Sequence, residues 1–330
     1  MEFRTKVKIP KPTDWISPGD KICLLGSCFA GYVGNRMRLA GLDVSVNPFG
    51  VLYNPWSIAT ACMLMSNDQP IPDGCFFESG GRWHSWLNDS SFSAASLEEC
   101  RAGLEMVRCE QMTRLRELDY LFITLGTNRY YELCGSHLVV GNCHKQPGRM
   151  FVECIPDTEQ TVAVLEQALN VLWTVRPTLR FVLTVSPYRY AKYGFHENHL
   201  GKSVLLLAAD TLCKRHERLC TYFPAYEILL DELRDYRFYA DDMLHPSDAA
   251  VSYIWECLSS SVFSEETRAF VSECENVGRA LAHRPQHPES SAYRDFLRQT
   301  MGRIEQLNKK YRTAAFSTEY ERLGRLLKNQ

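Results

Sequence analysis

Short apolar strands alternate with helices through most of this 330-residue chain, and that alternation restricts its fold more than any other feature. Residues 21–25 form an apolar run, residues 29–40 have helical spacing, and residues 42–46 alternate as a strand does. The pattern returns, with further strands predicted at residues 120–124, 179–185 and 220–223 and helices at residues 97–117, 158–175, 200–216 and 248–262. We therefore predict a three-layer α/β/α fold with a mainly parallel central sheet, whose sites form at the carboxyl ends of strands.

Composition excludes several classes of protein. With 37 basic and 39 acidic residues, the chain lacks the basic excess typical of a nucleic-acid-binding protein. No apolar run approaches the roughly 18 residues that span a bilayer, so we expect no membrane partner. The 13 cysteines include no C-x-x-C pair, and the first 30 residues lack an apolar signal segment. Free thiols in the cytoplasm are the expectation.

Neither a cofactor nor a metal is predicted. Gly26, Gly31 and Gly34 do not form the G-x-G-x-x-G of dinucleotide-binding folds. The Gly201-Lys202-Ser203 tripeptide precedes a predicted helix, but six residues separate it from the upstream glycine, where a P-loop has four. Histidine pairs at positions 196/199 and 283/287 lack further ligands at recognised spacing.

The amino-acid composition of the chain changes near residue 264. Charged residues dominate from there to residue 330, with prolines at positions 285 and 288. We divide the chain into an α/β domain, residues 1–263, and a charged helical C-terminal extension, residues 264–330. The extension is interpreted either as a solvated cap or as a surface for homo-oligomerisation or another partner.

Three predicted strand ends carry chemically useful side chains. Ser27 lies between the first strand and its helix, where a helix N-terminus stabilises negative charge. Asn128 follows a second strand and offers an amide donor. Asp242 and His245 lie three residues apart before a helix, close enough for the carboxylate to orient the imidazole.

The order of these residues, together with longer motifs, identifies a resemblance. Serine early in the chain, Gly-x-Asn in its middle and Asp-x-x-His late is the order of SGNH (GDSL-type) hydrolases. The stretches LLGSCFAGYVGNRM, NPFGVLYNPWSI, LGTNRYY, NCHKQP, TVSPYR and DDMLHPS resemble one branch of that superfamily, the GSCFA family, over roughly residues 20–260. The resemblance implies an SGNH-hydrolase-like, flavodoxin-like arrangement of the sheet.

The resemblance also implies roles for individual residues. Ser27 would be the nucleophile, His245 its general base and Asp242 the residue that orients the base. The oxyanion hole would combine the amides of Ser27 and Gly50 with the side chain of Asn128. Gly26 stands where the superfamily has the aspartate of its GDS tripeptide, and a shift by one residue would make Cys28 the nucleophile.

Two further residues are candidates for binding substrate. His144 lies in NCHKQP, where a loop histidine with satisfied hydrogen bonds is an equal alternative. Arg189 ends the TVSPYR segment, where it would bind an acidic group of the substrate or form a surface ion pair.

The activity implied is hydrolysis of a short acyl ester, such as an O-acetyl carbohydrate, through an acyl-Ser27 intermediate. An O-acyltransferase would use the same three residues with an alcohol in place of water. A non-catalytic scaffold that binds partners through residues 264–330 is the alternative from another class, since a fold alone does not establish activity.

Overall fold

A five-stranded parallel sheet lies at the centre of the residues that the computed structural model describes, which are 5–10, 15–282, 287 and 289–328. The strands in chain order are β1 (Lys21–Gly26), β2 (Asp43–Val46), β3 (Phe76–Ser79), β4 (Arg82–Ser85), β5 (Tyr120–Leu125), β6 (Tyr130–Leu133), β7 (Val139–Val140), β8 (Phe151–Cys154), β9 (Arg180–Val185) and β10 (Cys220–Phe223). The central sheet has the order β10-β9-β5-β1-β2, and every neighbouring pair is parallel.

Helices follow the strands and cover both faces of this sheet. They are α1 (Cys28–Leu39), α2 (Pro55–Ser66), α3 (Leu97–Leu115), α4 (Thr158–Val175), α5 (Phe195–Arg215), α6 (Ala225–Glu227), α7 (Asp248–Val262), α8 (Glu265–Ala282), α9 (Ser291–Tyr311) and α10 (Ser317–Lys328). Helix α6 continues into a π-helical turn, Ile228–Leu233. The three-layer α/β/α prediction is confirmed, and the strand order is that of flavodoxin-like folds.

Alternating side chains of the strands divide the apolar core into two halves. In β1, Cys23 and Leu25 contribute to the half shared with α2, α3, α4 and α5. Ile22 and Leu24 contribute to the opposite half, which is shared with α1, α7 and the C-terminal helices. Both faces of a parallel strand are buried in this way, which explains why its sequence is a continuous apolar run.

The C-terminal extension packs on the α/β domain through the second half of the core. Phe270 of α8 is fully buried, and a Cβ added at Gly41, just after α1, would lie 2.5 Å from Sγ of Cys274. The Thr267 hydroxyl donates to the Ile16 carbonyl at 2.6 Å. The apolar faces of α8, α9 and α10 thus pack within the chain. The predicted proline interruptions, Pro285 and Pro288, lie outside the described residues.

The order in which strands join the sheet reverses its direction at β1. Strand β2 lies on one side of β1, and β5, the next strand of this sheet along the chain, lies on the other side. Such a switch point leaves a crevice at the carboxyl ends of the two strands. Two antiparallel sheets, β3-β4 and β7-β6-β8, are inserted between helices and strands of this region. Within the described residues, none of the helices has the length and apolar character required to cross a membrane.

Candidate active site

Ser27 lies directly after β1, at the entrance to α1. It is the N-cap residue of α1, yet its side chain makes no capping hydrogen bond. Its Oγ is buried and has no partner among the described residues. Serine side chains at this position usually cap the helix, so the free hydroxyl is available for chemistry.

Gly26, the last residue of β1, precedes Ser27 and has a backbone conformation that favours glycine. Its φ is +141°, and a Cβ at this position would lie 2.3 Å from the Thr124 carbonyl oxygen of β5. Only glycine fits where two parallel strands approach so closely with this backbone conformation. Glycine at this position is therefore a packing requirement.

Cys28 is the neighbour of Ser27 at the first position of α1. Its Sγ lies 3.5 Å from the Tyr53 hydroxyl. The thiol thus has a hydrogen-bond partner, whereas the Ser27 hydroxyl has none. Burial raises the pKa of Tyr53, which keeps this phenol in its neutral form.

Asp242 and His245 meet in the loop before α7. Oδ2 of Asp242 lies 2.5 Å from Nδ1 of His245, and Oδ1 accepts the backbone amides of Leu244 and His245 at 2.9 Å each. The hydrogen bond from the imidazole, followed by these two amides, lowers the pKa of Asp242 to about 2. The ionised carboxylate accepts a hydrogen bond from Nδ1–H, and in this tautomer Nε2 of His245 is the proton acceptor.

The loop that carries this pair is held by Arg189. Its backbone amide donates to the Leu244 carbonyl at 3.0 Å and its guanidinium to the Met243 carbonyl at 3.1 Å. The guanidinium carbon lies 4.0 Å from the Phe195 ring centroid and 5.2 Å from that of Tyr239. Arg189 does not line the cavity described next. Its contacts are those of a residue that positions the Asp242–His245 loop.

A cavity of about 400 Å³ opens at the switch point and joins these groups. Ser27, Cys28 and His245 line it together, as do Gly126 and Ser186, which follow β5 and β9. Five tyrosines form much of its wall, at positions 32, 53, 131, 188 and 190. The ring of Tyr188 lies 4.4 Å from that of His245. The nucleophile and base predicted from the sequence therefore share one aromatic cavity.

Two predicted oxyanion donors lie away from this cavity. The Gly50 amide donates to the Asn47 carbonyl at 2.8 Å within a turn, and the Asp89 carboxylate packs against Gly50. Nδ2 of Asn128 donates to the Pro156 carbonyl at 3.0 Å. Neither residue lines the cavity that contains Ser27. The third predicted donor, the Ser27 amide, lies 3.2 Å from the Thr124 carbonyl oxygen.

His144 is likewise placed outside the cavity lining. Its Nε2 lies 2.8 Å from the Ser85 carbonyl and 2.9 Å from the Asn88 carbonyl. Burial, the largest influence, lowers the pKa of His144. The imidazole thus joins two loops, while its neighbour Cys143 contacts the cavity.

Asn54 is a polar residue of the cavity that the sequence analysis did not select. It is buried, with 7% of its surface exposed, and it lines the cavity beside Ser27. Its Oδ1 accepts the Ser57 amide at 2.8 Å and so caps α2. Its place on the cavity depends on main-chain contacts of Leu52 and Tyr53 with β1 and the end of β5, which leave no signal in a single sequence.

Lys202 of α5, whose surrounding glycines do not have the spacing of a P-loop, lies beneath the site. Only 2% of it is exposed, and its Nζ donates to the Gly126 carbonyl at 2.7 Å and the Ser186 carbonyl at 2.8 Å. It thereby joins the ends of β5 and β9. Burial lowers its pKa to about 7. The described residues contain no group of three His, Cys, Asp or Glu side chains arranged to hold a metal ion.

The chain was compared with known proteins. The model of the GSCFA family matches residues 21–258, and that of the GSCFA domain protein, C-terminal domain, matches residues 274–329. No curated protein matches the chain.

Two solved structures are similar at low identity. One, described as a platelet activating factor from Streptococcus pneumonia, is 12% identical with a TM-score of 0.39, over 74% of this chain and 85% of that one. The other is a carbohydrate esterase family 3 protein from Talaromyces cellulolyticus, 11% identical with a TM-score of 0.32, over 77% of this chain and 99% of that one.

Proposed function

This chain belongs to the GSCFA family, and from that premise and the geometry of its cavity we propose that it is a serine esterase of the SGNH type. The observation that carries the proposal is the presence of Ser27 and His245 on one cavity, with Asp242 bonded to the far side of the imidazole. A hydroxyl is a weak nucleophile unless a positioned base removes its proton. The arrangement supplies such a base.

The proposed reaction has two stages, acylation and deacylation of Ser27. Nε2 of His245 accepts the Ser27 proton while Oγ attacks the acyl carbon, and the imidazolium is stabilised by the Asp242 carboxylate. Collapse of the tetrahedral intermediate expels the alcohol, which takes the proton from His245. Water then attacks the acyl carbon while Nε2 of His245 accepts a proton from it. The bond to Oγ breaks, the carboxylic acid leaves, and Oγ takes the proton back from His245. No hydrogen bond joins Ser27 Oγ to a described residue, and such bonds commonly form only with substrate present.

A short acyl ester of a carbohydrate is the substrate class we propose. The cavity has room for a small acyl group and part of its alcohol, and tyrosine faces suit the apolar face of a sugar ring. Their hydroxyls suit its hydroxyl groups. We place the enzyme in the cytoplasm, because a chain with 13 free cysteines suits a reducing compartment.

Hydrolysis of p-nitrophenyl acetate tests the proposal. We expect Ser27→Ala and His245→Ala to lower kcat/KM at least 1,000-fold, because each removes a partner of one reacting unit. Cys28→Ala is the matched control, since the Cys28 thiol lines the same cavity and is hydrogen-bonded to the Tyr53 hydroxyl. Mass spectrometry of trapped enzyme should find the acetyl group on Ser27.

The outcomes separate the candidates. Acetyl on Cys28, with activity lost in Cys28→Ala and kept in Ser27→Ala, would move the nucleophile by one residue. Equal rates in wild type and in all three variants would mean that surface side chains react with the ester, and the proposal would be rejected.

A further inference from the structure

The structure assigns the side-chain donor of the oxyanion hole to Asn54, and this inference rests on the proposed esterase function. In the tetrahedral intermediate, Oγ of Ser27 bonds to the acyl carbon and the carbonyl π electrons move onto oxygen. That oxygen needs preorganised hydrogen-bond donors in a water-poor site. Asn54 and Asn142 line the cavity with Ser27, and Asn128 does not. The segment that carries Asn54 is also hydrogen-bonded to Gly26, the residue before Ser27.

Asn54 is positioned by the main chain of residues 52–54, here named the 52–54 segment. The Leu52 amide donates to the Gly26 carbonyl at 3.0 Å, at the end of β1. The Tyr53 carbonyl accepts the amides of Gly126 and Thr127 at 2.8 and 2.9 Å, just after β5. The segment therefore crosses the switch point between β1 and β5 and brings Asn54 to the cavity that Ser27 also lines.

The oxygen and the nitrogen of the Asn54 side-chain amide differ in their contacts. Oδ1 accepts the Ser57 amide, and this bond fixes the rotation of the side chain. No described residue accepts a hydrogen bond from Nδ2. Nδ2 is not among the buried side-chain atoms that lack a partner, so it is accessible from the cavity that Asn54 lines. A carbonyl oxygen that becomes an oxyanion in the cavity would satisfy it.

Asn128 differs in each of these respects. Its Nδ2 is occupied by the Pro156 carbonyl. Its Oδ1 packs against Gly201 of α5, where an added Cβ would lie 2.7 Å away. Reaching the cavity would require breaking the first contact and leaving the Pro156 carbonyl without its donor. We infer that Asn128 joins the loop after β5 to the entrance of α4 and does not touch substrate.

Asn54→Ser tests the assignment with little risk to the fold. Serine is also a good N-cap, so it keeps the acceptor for Ser57 while removing Nδ2. We expect kcat for p-nitrophenyl acetate to fall about 100- to 1,000-fold with KM within about threefold of wild type. A trifluoromethyl ketone, which forms a tetrahedral adduct with serine, should lose affinity by a similar factor.

Two controls define the comparison. Asn67→Ser makes the same change at the other end of α2, at an exposed residue, and should leave the kinetics as they are. Asn128→Ser should lower kcat less than tenfold, and any effect should appear equally in stability. Urea midpoints of all variants report whether a loss of rate is a loss of structure.

Each result has a clear meaning. A kcat for Asn54→Ser within threefold of wild type, while the wild type acetylates Ser27, overturns the assignment and leaves the esterase function standing. A 100-fold loss in Asn128→Ser with none in Asn54→Ser also overturns it, in favour of Asn128. If wild type forms no acetyl-Ser27 at all, the proposed function fails and the assignment fails with it.

Discussion

Lys202 makes the folding stability of this protein depend on pH in a way that can be calculated. The side chain is fully buried, and its Nζ donates hydrogen bonds to the carbonyls of Gly126 and Ser186. Neutral lysine has two N–H groups, which these carbonyls satisfy, whereas the ammonium carries a third proton. Lys202→Met removes the titrating group and nearly preserves the length of the side chain.

The magnitude follows from the pKa. Burial lowers the pKa of Lys202 from 10.5 to about 7, and at about 1.4 kcal/mol for each tenfold change in proton affinity this corresponds to about 5 kcal/mol. Below pH 7 both states hold the proton, and the folded state bears the full cost of the buried charge. Between pH 7 and 10.5 the unfolded state binds more protons, so the free energy of unfolding rises with pH. From pH 6 to 9 the calculated rise is about 3 kcal/mol, an upper limit because the two carbonyls also stabilise the ammonium.

Urea unfolding of wild type and Lys202→Met at pH 6, 7, 8 and 9, with a reducing agent, measures the effect. The difference in free energy of unfolding, wild type minus variant, should rise across this range. Taking the difference removes the contribution of cysteines and tyrosines, which titrate in both proteins. Lys214→Met is the matched control on the same helix, because 75% of that side chain is exposed and its ion pair with Asp210 is worth little. A difference that stays flat, or falls, would refute the reasoning.

Three further predictions concern the frame of the site and the extension. Arg189→Met should lower kcat for p-nitrophenyl acetate roughly 10- to 100-fold with little change in KM, because the Asp242–His245 loop loses its support; a rise in KM alone would contradict this. Gly26→Ala should lower the free energy of unfolding by at least about 2 kcal/mol in urea, because its Cβ meets Thr124, whereas Gly31→Ala, with open space around it, should be neutral or stabilising. Phe270→Ala should cost about 3–5 kcal/mol and leave a single urea transition, because α8 shares the core of the α/β domain; two separate transitions would show that the extension folds by itself.

Sequence periodicity was sufficient for most elements of the sheet and its helices. The helix predicted at residues 158–175 has those bounds in the structure, and the Asp157 side chain forms a capping box with Gln160 at its start. Helix α2 was not predicted, because its sequence, PWSIATACMLMS, is apolar on all sides and has no helical period to detect. Burial between the sheet and neighbouring helices produces that composition.

The parts of the candidate site that depend on residues close in sequence could be predicted, and the parts that depend on distant contacts could not. Asp242 and His245 are three residues apart, so their hydrogen bond depends on one short loop. The direction of the Asn128 amide depends on Pro156, a residue 28 positions away, and the location of Asn54 depends on contacts with two strands. The orientation of Arg189 similarly depends on the aromatic rings around it. Such long-range contacts leave no signal in a single sequence.

The three hydrogen bonds that join residues 52–54 to β1 and to the end of β5 use main-chain atoms only. A mutation that exchanges the side chain of Tyr53 leaves the donors and acceptors of those bonds unchanged. The nucleophile and the walls of the cavity can therefore change independently during evolution. Replacing Tyr53 or Tyr188, which line the cavity, would alter its shape without disturbing the bonds that hold the segment. One main-chain frame can in this way hold cavities of different shape.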